Sequence, residues 1–294
     1  MKRKAEMCEN IFFSSANFDC ACIKSFLAKA AELDIRNIEL GANLEFCDAD
    51  LEVLLKYAGS KMNFLIHNYF PPPEKEFVLN LASNNSSIIK KSVMLCKKAI
   101  DLSKVLNAPF YSVHAGFAFH ARPVDLSKKQ TNLPRFPKKE AYKIFLENVK
   151  ELADYSKSKG IMLAIENNVV AGFNLCGGRN PLFLMAEPGE FVKFYSDVNS
   201  PNLFYLVDLG HLKVSSRSLG FKPADFLKEV IPYTVGFHLS DNDSILDQHL
   251  VFDDKVWFKD LIKKYPGKFF IIETRNAGLP AVRKTHKVIK SFFN

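Results

Sequence analysis

Nowhere does this chain carry the roughly 18 uninterrupted apolar residues that a membrane-crossing helix needs. Its charged start, residues 1–10, runs into no apolar core of the kind a secretory signal has, so the expected location is the cytoplasm, with no membrane partner. Cysteine is sparse: six in 294 residues, Cys8, Cys20, Cys22, Cys47, Cys96 and Cys176, with no Cys-x-x-Cys pair. That spacing argues against a thiolate metal site or a disulfide framework and for small, reduced residues, most of them in apolar or helical surroundings. Low-complexity segments, tandem repeats, linkers and breaks in composition are also missing, which predicts a single domain over residues 1–294. No oligomerisation signature is present either.

What is present begins with 48% hydrophobic residues, enough for a large core, and a net charge of +8. An excess of Lys and Arg suits a polyanion such as nucleic acid or a phosphorylated sugar, and equally suits a surface kept soluble by scattered lysines. Short β-rich apolar runs alternate with amphipathic stretches from end to end, the pattern of strand and helix units that pack into a parallel sheet. Eight strands are expected, at residues 10–14, 36–41, 63–68, 109–115, 161–167, 203–209, 235–240 and 268–274. Helices are expected at residues 20–33, 48–58, 84–106, 138–159, 187–197, 223–231, 254–265 and 279–293. In the fourth helix Ile144, Phe145, Val149, Leu152 and Ala153 share one face, and Gly160 stops it as a left-handed cap. Pro188, Pro223 and Pro280 lie near helix starts, where a missing N–H does little harm. Eight such units close into a (β/α)₈ TIM barrel. The strand-to-helix connections are the long ones, at residues 69–83, 117–137, 169–186, 212–222 and 242–253, and in such a barrel they build the C-terminal mouth where active sites lie.

Strands buried on both faces normally consist of Val, Ile, Leu and Phe, so a charged strand end needs a reason. The third to the eighth strands end in or beside His67, His114, Glu166, Asp208, His238 and Glu273. The run from Phe204 adds His211 three residues after Asp208, and the loop after the seventh strand supplies Asp247 and His249. A single histidine at a strand end is usually a hydrogen-bonded rim residue, and a lone Asp-x-x-His is as well read as a helix cap beside a surface histidine. Here five of the seven histidines and four acids fall on one rim, and imidazole with carboxylate is the ligand set of zinc, manganese and related divalent ions.

The ordered motifs Ile66-His67, Val113-His114-Ala115-Gly116, Ile165-Glu166-Asn167, Val207-Asp208-Leu209-Gly210-His211, Phe237-His238-Leu239-Ser240-Asp241, Asp247-Gln248-His249 and Ile272-Glu273 resemble the xylose isomerase-like TIM-barrel superfamily, from about residue 35 to the C-terminus. The superfamily contains the DNA repair enzyme endonuclease IV and many sugar isomerases and epimerases. Resemblance to endonuclease IV implies up to three zinc ions on His67, His114, Glu166, Asp208, His211, His238, Asp247, His249 and Glu273. Resemblance to the ketose epimerases implies one manganese, cobalt or magnesium ion on Glu166, Asp208, His238 and Glu273, with His211 on the substrate.

Departures from the DNA enzyme favour the sugar reading. Residues 68–77 replace its short wedge loop with a run containing Pro71, Pro72 and Pro73, which stiffens the backbone into a wall or lid. The Gly-rich stretch expected after Asp247-x-His249 is replaced by Leu250-Val251-Phe252-Asp253-Asp254, whose carboxylates repel a phosphate backbone, and the Gly-Ser-His opening is missing. The leading expectation is therefore a metal-dependent sugar or sugar-phosphate isomerase/epimerase. Glu166 and Glu273 exchange protons, while His211, Asn168, Tyr69 and Arg275 contact substrate. Arg122, Arg135, Arg179 and Arg217 are further candidates for a phosphate, and Tyr69 and Phe70 for stacking on a base or sugar. The alternative is an endonuclease IV-like zinc phosphodiesterase acting on abasic DNA. A third reading is a barrel without catalysis that binds a metabolite.

Overall fold

A computed structural model describes residues 10–59, 62–126, 129–275 and 277–293. The charged start with Cys8 lies outside them. Eight strands, β1 (Ile11–Ser14), β2 (Asn37–Leu40), β3 (Asn63–His67), β4 (Phe110–His114), β5 (Met162–Glu166), β6 (Leu203–Asp208), β7 (Thr234–Leu239) and β8 (Phe269–Ile272), form a closed barrel in sequence order. All pairings are parallel, and β1 closes on β8 through Ile11↔Phe270 and Phe12↔Ile271. The helices are α1 (Ile23–Glu32), α2 (Asp48–Gly59), α3 (Ser86–Val105), α4 (Lys138–Lys159), α5 (Glu190–Val198), α6 (Leu209–Leu219), α7 (Pro223–Val230), α8 (Lys259–Ile262) and α9 (Gly278–Phe292). None is long and apolar enough to cross a membrane.

The (β/α)₈ barrel and the strand positions agree with the sequence reading to within a residue or two. In α4, Phe145, Val149, Leu152 and Ala153 are buried, and Gly160 caps the helix at φ 72°. Two expectations need correction. The stretch taken as a loop at residues 212–222 is largely α6, which starts directly after β6. Its Gly210 and its serines at 215, 216 and 218 weaken helix propensity, which hides it from periodicity. The helix expected at residues 254–265 shrinks to the four residues of α8, flanked by turns. Cysteine placement is also mixed: Cys96 is buried, with its thiol pushed up to about 12 by burial, whereas Cys22 and Cys47 are exposed. All five described cysteines are free thiols.

Alternation along the strands divides the core in two. Ile38, Leu40, Ile66, Val113, Ile165, Val207 and Phe237 face outward into the large cluster shared with the helices. A separate inner cluster takes Phe12, Leu65, Phe110, Ala164, Leu206, Val235 and Ile271, one from each strand except β2. Inner positions one step further toward the C-terminal ends are polar, and they form the floor of the mouth. Above them the long loops after β4 and β5 pack on each other through Phe119, Val170, Leu182, Phe183 and Ala186, a satellite core that gives the mouth firm walls.

Strand β7 carries the one register shift in the barrel: Tyr205 pairs with Thr234, but Leu206 pairs with Gly236, so Val235 is an extra residue. Because the side-chain period is two, this insertion reverses inside and outside beyond it. Val235 faces the inner cluster, and three residues later His238 also faces inward, which strict alternation forbids. The close approach needs Gly236, since a Cβ there would lie 2.8 Å from both Cβ and O of Phe269. Replacement Gly236→Ala should lower unfolding free energy by about 1–3 kcal/mol through overpacking. Urea denaturation, with Gly172→Ala as the control because nothing lies within 4 Å of a Cβ there, checks it.

Candidate metal centre

Glu166, the last residue of β5, is fully buried and stands at the middle of the floor. Its Oε2 lies 3.3 Å from His67 Nε2 and 3.7 Å from His114 Nε2, while its Oε1 lies 3.1 Å from His238 Nδ1 and 3.8 Å from His211 Nδ1. Glu273, immediately after β8, places Oε2 3.2 Å from the same His238 Nδ1, and Asp208 Oδ2 is 4.0 Å away. A second corner is built by His211 and Asp247, 3.3 Å apart, and by His249, whose Nε2 is 2.9 Å from Asp247 Oδ2. All nine residues expected from the sequence are thus brought together. They form three groups, of which the first two share Glu166: His67, His114 and Glu166; Glu166, Asp208, His238 and Glu273; and His211, Asp247 and His249. Within each group the candidate ligand atoms lie within 4.8 Å of one another.

Three of the five site histidines are held through Nδ1. His67 Nδ1 is 2.9 Å from Ser112 Oγ, His211 Nδ1 is 2.8 Å from the carbonyl of Asn167, and His249 Nδ1 is 3.2 Å from the carbonyl of Glu273. A carbonyl can only accept, so it fixes the proton on Nδ1 and leaves the Nε2 lone pair for the cluster. Asp208 doubles as the N-cap of α6: its Oδ1 accepts from the His211 backbone N–H at 2.7 Å, and Oδ2 remains for the site. The helix-cap reading of Asp-x-x-His is therefore half right, since the cap exists but its histidine is buried. Between the two motif residues only glycine fits, because a Cβ at Gly210 would fall 2.7 Å from Ser240 Oγ and 3.1 Å from Asp208 Oδ1.

Burial and charge divide the titrations. Burial, reinforced by neighbouring imidazoles, holds His67 and His114 well below the ordinary imidazole range. Burial opposes charge on His211 and His238 too, but the surrounding carboxylates outweigh it and hold both well above that range. Burial raises Glu166 to about 7 against the pull of His238 and His211, and it raises Asp208. Burial also acts on Asp247, yet His211 and His249 bring it well below the carboxylate range.

The donor set fits a divalent cation. Glu166 Oε2, Asp208 Oδ2 and Asp247 Oδ1 are buried without a hydrogen-bond partner, and buried polar atoms are seldom left so. Their shared position, with neutral imidazole and carboxylate oxygen as donors, is the chemistry of a metal site. The centre opens to solvent at His114, whose side chain is 34% exposed, at Asp247 and at Glu273.

The residues expected to meet substrate are less uniform. Tyr69 is half-buried, its hydroxyl accepting from Phe77 N–H at 2.8 Å and its ring beside that of Phe77, so it pins the proline loop. Phe70 is fully buried against Phe46, which removes it as a stacking platform. The Asn168 Nδ2 donates to the carbonyls of Ala115, Gly116 and Leu184 and ties the β4 and β5 loops together. Asn167 likewise joins β5 to β6, exchanging hydrogen bonds with the backbone of Asp208. Arg122 is engaged by Asp125, Arg135 by Cys176 and Arg217 by Ser244, while Arg179 and Arg275 are exposed. The backbone N–H of Arg275 donates to the carbonyl of His249, so its Cα is tied to the site.

One site residue escaped the sequence reading. Glu39, on β2, is fully buried and places Oε2 3.0 Å from His238 Nε2. With His67 and His238 it makes a fourth group of closely spaced donor atoms. The signal was available, since Asn37-Ile38-Glu39-Leu40 is an apolar run broken by an acid at an inward position.

The fold has known counterparts. A D-tagatose 3-epimerase-like protein superposes with a TM-score of 0.72 at 20% identity, over 96% of both chains. An L-ribulose 3-epimerase gives 0.69 at 13% identity, over 96% of this chain and 94% of the other. A Thermus thermophilus protein soaked with ZnCl2 gives 0.66 at 15% identity, over 96% of this chain and 98% of the other. No curated protein sequence matches this one. The model of the xylose isomerase-like TIM barrel family matches residues 27–292, and the chain belongs to that family.

Proposed function

We propose that the protein is a divalent-metal-dependent isomerase or epimerase of a sugar or sugar phosphate. The observation that carries this reading is the pair of carboxylates, Glu166 and Glu273, flanking one imidazole nitrogen at 3.1 and 3.2 Å, with Asp208 beside them. Glu166, Asp208, His238 and Glu273 would hold the cation. A bound divalent ion there supplies Lewis acidity toward a carbonyl and its neighbouring hydroxyl, which favours loss of the carbon-bound proton between them. Glu166 and Glu273 approach from different strands and act as the proton acceptor on one face and the proton donor on the other. His211 and Tyr69 position hydroxyls, and Arg275, at the exposed rim, meets a phosphate where the sugar bears one. The epimerases among the structural neighbours support the same chemistry.

A second reading has its own observation. The groups around His67 and His211 extend the centre beyond the four-residue set, which favours more than one ion, up to three zincs, and a phosphodiesterase acting on abasic DNA. Metal content and substrate separate the two.

With metal bound, free and phosphorylated ketoses incubated in deuterated water should gain deuterium at carbon, read by mass spectrometry or NMR. Absence of exchange across the panel would sink the isomerase reading for the sugars tried. Glu166→Gln should lower the exchange rate by at least about 10²-fold, the usual contribution of a general base. For the second reading, elemental analysis should find near three zincs per chain and an abasic duplex should be incised. One ion per chain with an intact duplex rejects it.

A further inference from the structure

Glu39 has no part in the nine-residue set, yet it is as fully buried as Glu166, Asp208 and His238. Its neighbours on β2, Ile38 and Leu40, face outward into the large core, so Glu39 points into the barrel, where its carboxylate is fully buried. The other strands all contribute an apolar side chain to the inner cluster, and β2 contributes none. A buried carboxylate is costly unless it is compensated, and a leucine would fill such a place without that cost. His238 compensates one of its oxygens, Oε2, while Oε1 is buried without a hydrogen-bond partner. Strands β2 and β7 are not neighbours in the barrel, so the 3.0 Å contact from Glu39 Oε2 to His238 Nε2 crosses the interior.

The two nitrogens of His238 are therefore treated differently. Nε2 meets Glu39 alone among the carboxylates, while Nδ1 meets Glu166, Glu273 and Asp208. A neutral imidazole has one N–H and one lone pair. If the proton sat on Nδ1, the Nε2 lone pair would face a buried carboxylate; if it sits on Nε2, that atom donates to Glu39 and the Nδ1 lone pair faces the cluster. Carbonyl or hydroxyl partners do the same work for His67, His211 and His249, but through the opposite nitrogen.

We propose that Glu39 is a positioning residue of the metal centre: it accepts a hydrogen bond from His238 Nε2–H across the barrel and so commits Nδ1 to the cation shared with Glu166, Asp208 and Glu273. This rests on the metal-site reading above. It assigns to Glu39 the outer-shell role in a carboxylate–histidine–metal relay rather than a ligand's role.

The test compares wild type, Glu39→Gln and Glu39→Ala in three measurements: cobalt(II) affinity by chelator competition, cobalt per chain at saturation, and, in the zinc-loaded protein, the tautomer of His238 by nitrogen-15 NMR. Circular dichroism and thermal melting without metal establish that each variant is folded. Glu39→Ala should bind cobalt about 10–100-fold more weakly, the usual effect of losing an outer-shell partner, with the same number of ions at saturation. Its His238 should lose the pure Nε2–H form. Glu39→Gln, whose amide oxygen accepts the same hydrogen bond in the same volume, should fall between the two in affinity and keep the tautomer. Unchanged affinity in both variants overturns the proposal, as does loss of an ion at saturation, which would make Glu39 a ligand. Wild-type protein that takes up no cobalt overturns the metal-site reading and this proposal with it.

Discussion

The burial of one carboxylate, Glu166, beneath three imidazoles organises the mouth of this barrel. A carboxylate withdrawn from water must be matched by positive charge or by hydrogen-bond donors, and in an interior of low dielectric each mismatch is felt strongly. His67, His114 and His238 surround it, but burial and the neighbouring imidazoles hold the first two well below the ordinary imidazole range. Charge is thus undersupplied around the β5 end. The orphaned oxygens of Glu166, Asp208 and Asp247 express the same shortage, and a divalent cation is the simplest group that removes it.

The rest of the structure holds that arrangement in place. Each loop that leaves a ligand-bearing strand is tied to its neighbour by a buried amide: Asn167 joins β5 to β6, Asn168 joins β5 to the β4 loop, and Asn242 donates to the carbonyl of Gly210. Side chains ordered by their own hydrogen bonds lose little further freedom when a ligand arrives. The satellite core over the β4 and β5 loops extends this rigidity outward, whereas Arg179 and Arg275 stay exposed and adaptable.

Much of this was legible in the residues. Inward side chains recur every second position, helices every three or four, and a charged residue ending a run of Val, Ile and Leu has few explanations, so the barrel and all nine rim residues could be read in order. What escaped did so for identifiable reasons. The helix α6 was hidden because Gly210 and three serines lower its propensity, and because the cap that starts it, Asp208, also belongs to the site. Phe70 looked like a platform because aromatic residues beside prolines often are, but it fills the space against Phe46. Glu39 breaks its strand in the middle rather than at the C-terminal end where the other acids and histidines gather, and nothing in its neighbourhood along the chain names a partner.

By itself, then, the sequence determined the element order, the strand count and the set of groups at the C-terminal rim, because those follow from local period and from the cost of burying charge. Tertiary structure alone decided which atoms meet. The extra residue Val235 reverses the facing of β7 and turns His238 inward, a consequence of pairing register that no run of residues reveals. Closure of the sheet then sets β2 opposite β7, so that Glu39 reaches a histidine 199 residues away. Strand neighbours are dictated by succession along the chain; contacts across the barrel depend on closure and stagger, and those exist only once the sheet has joined its own edge.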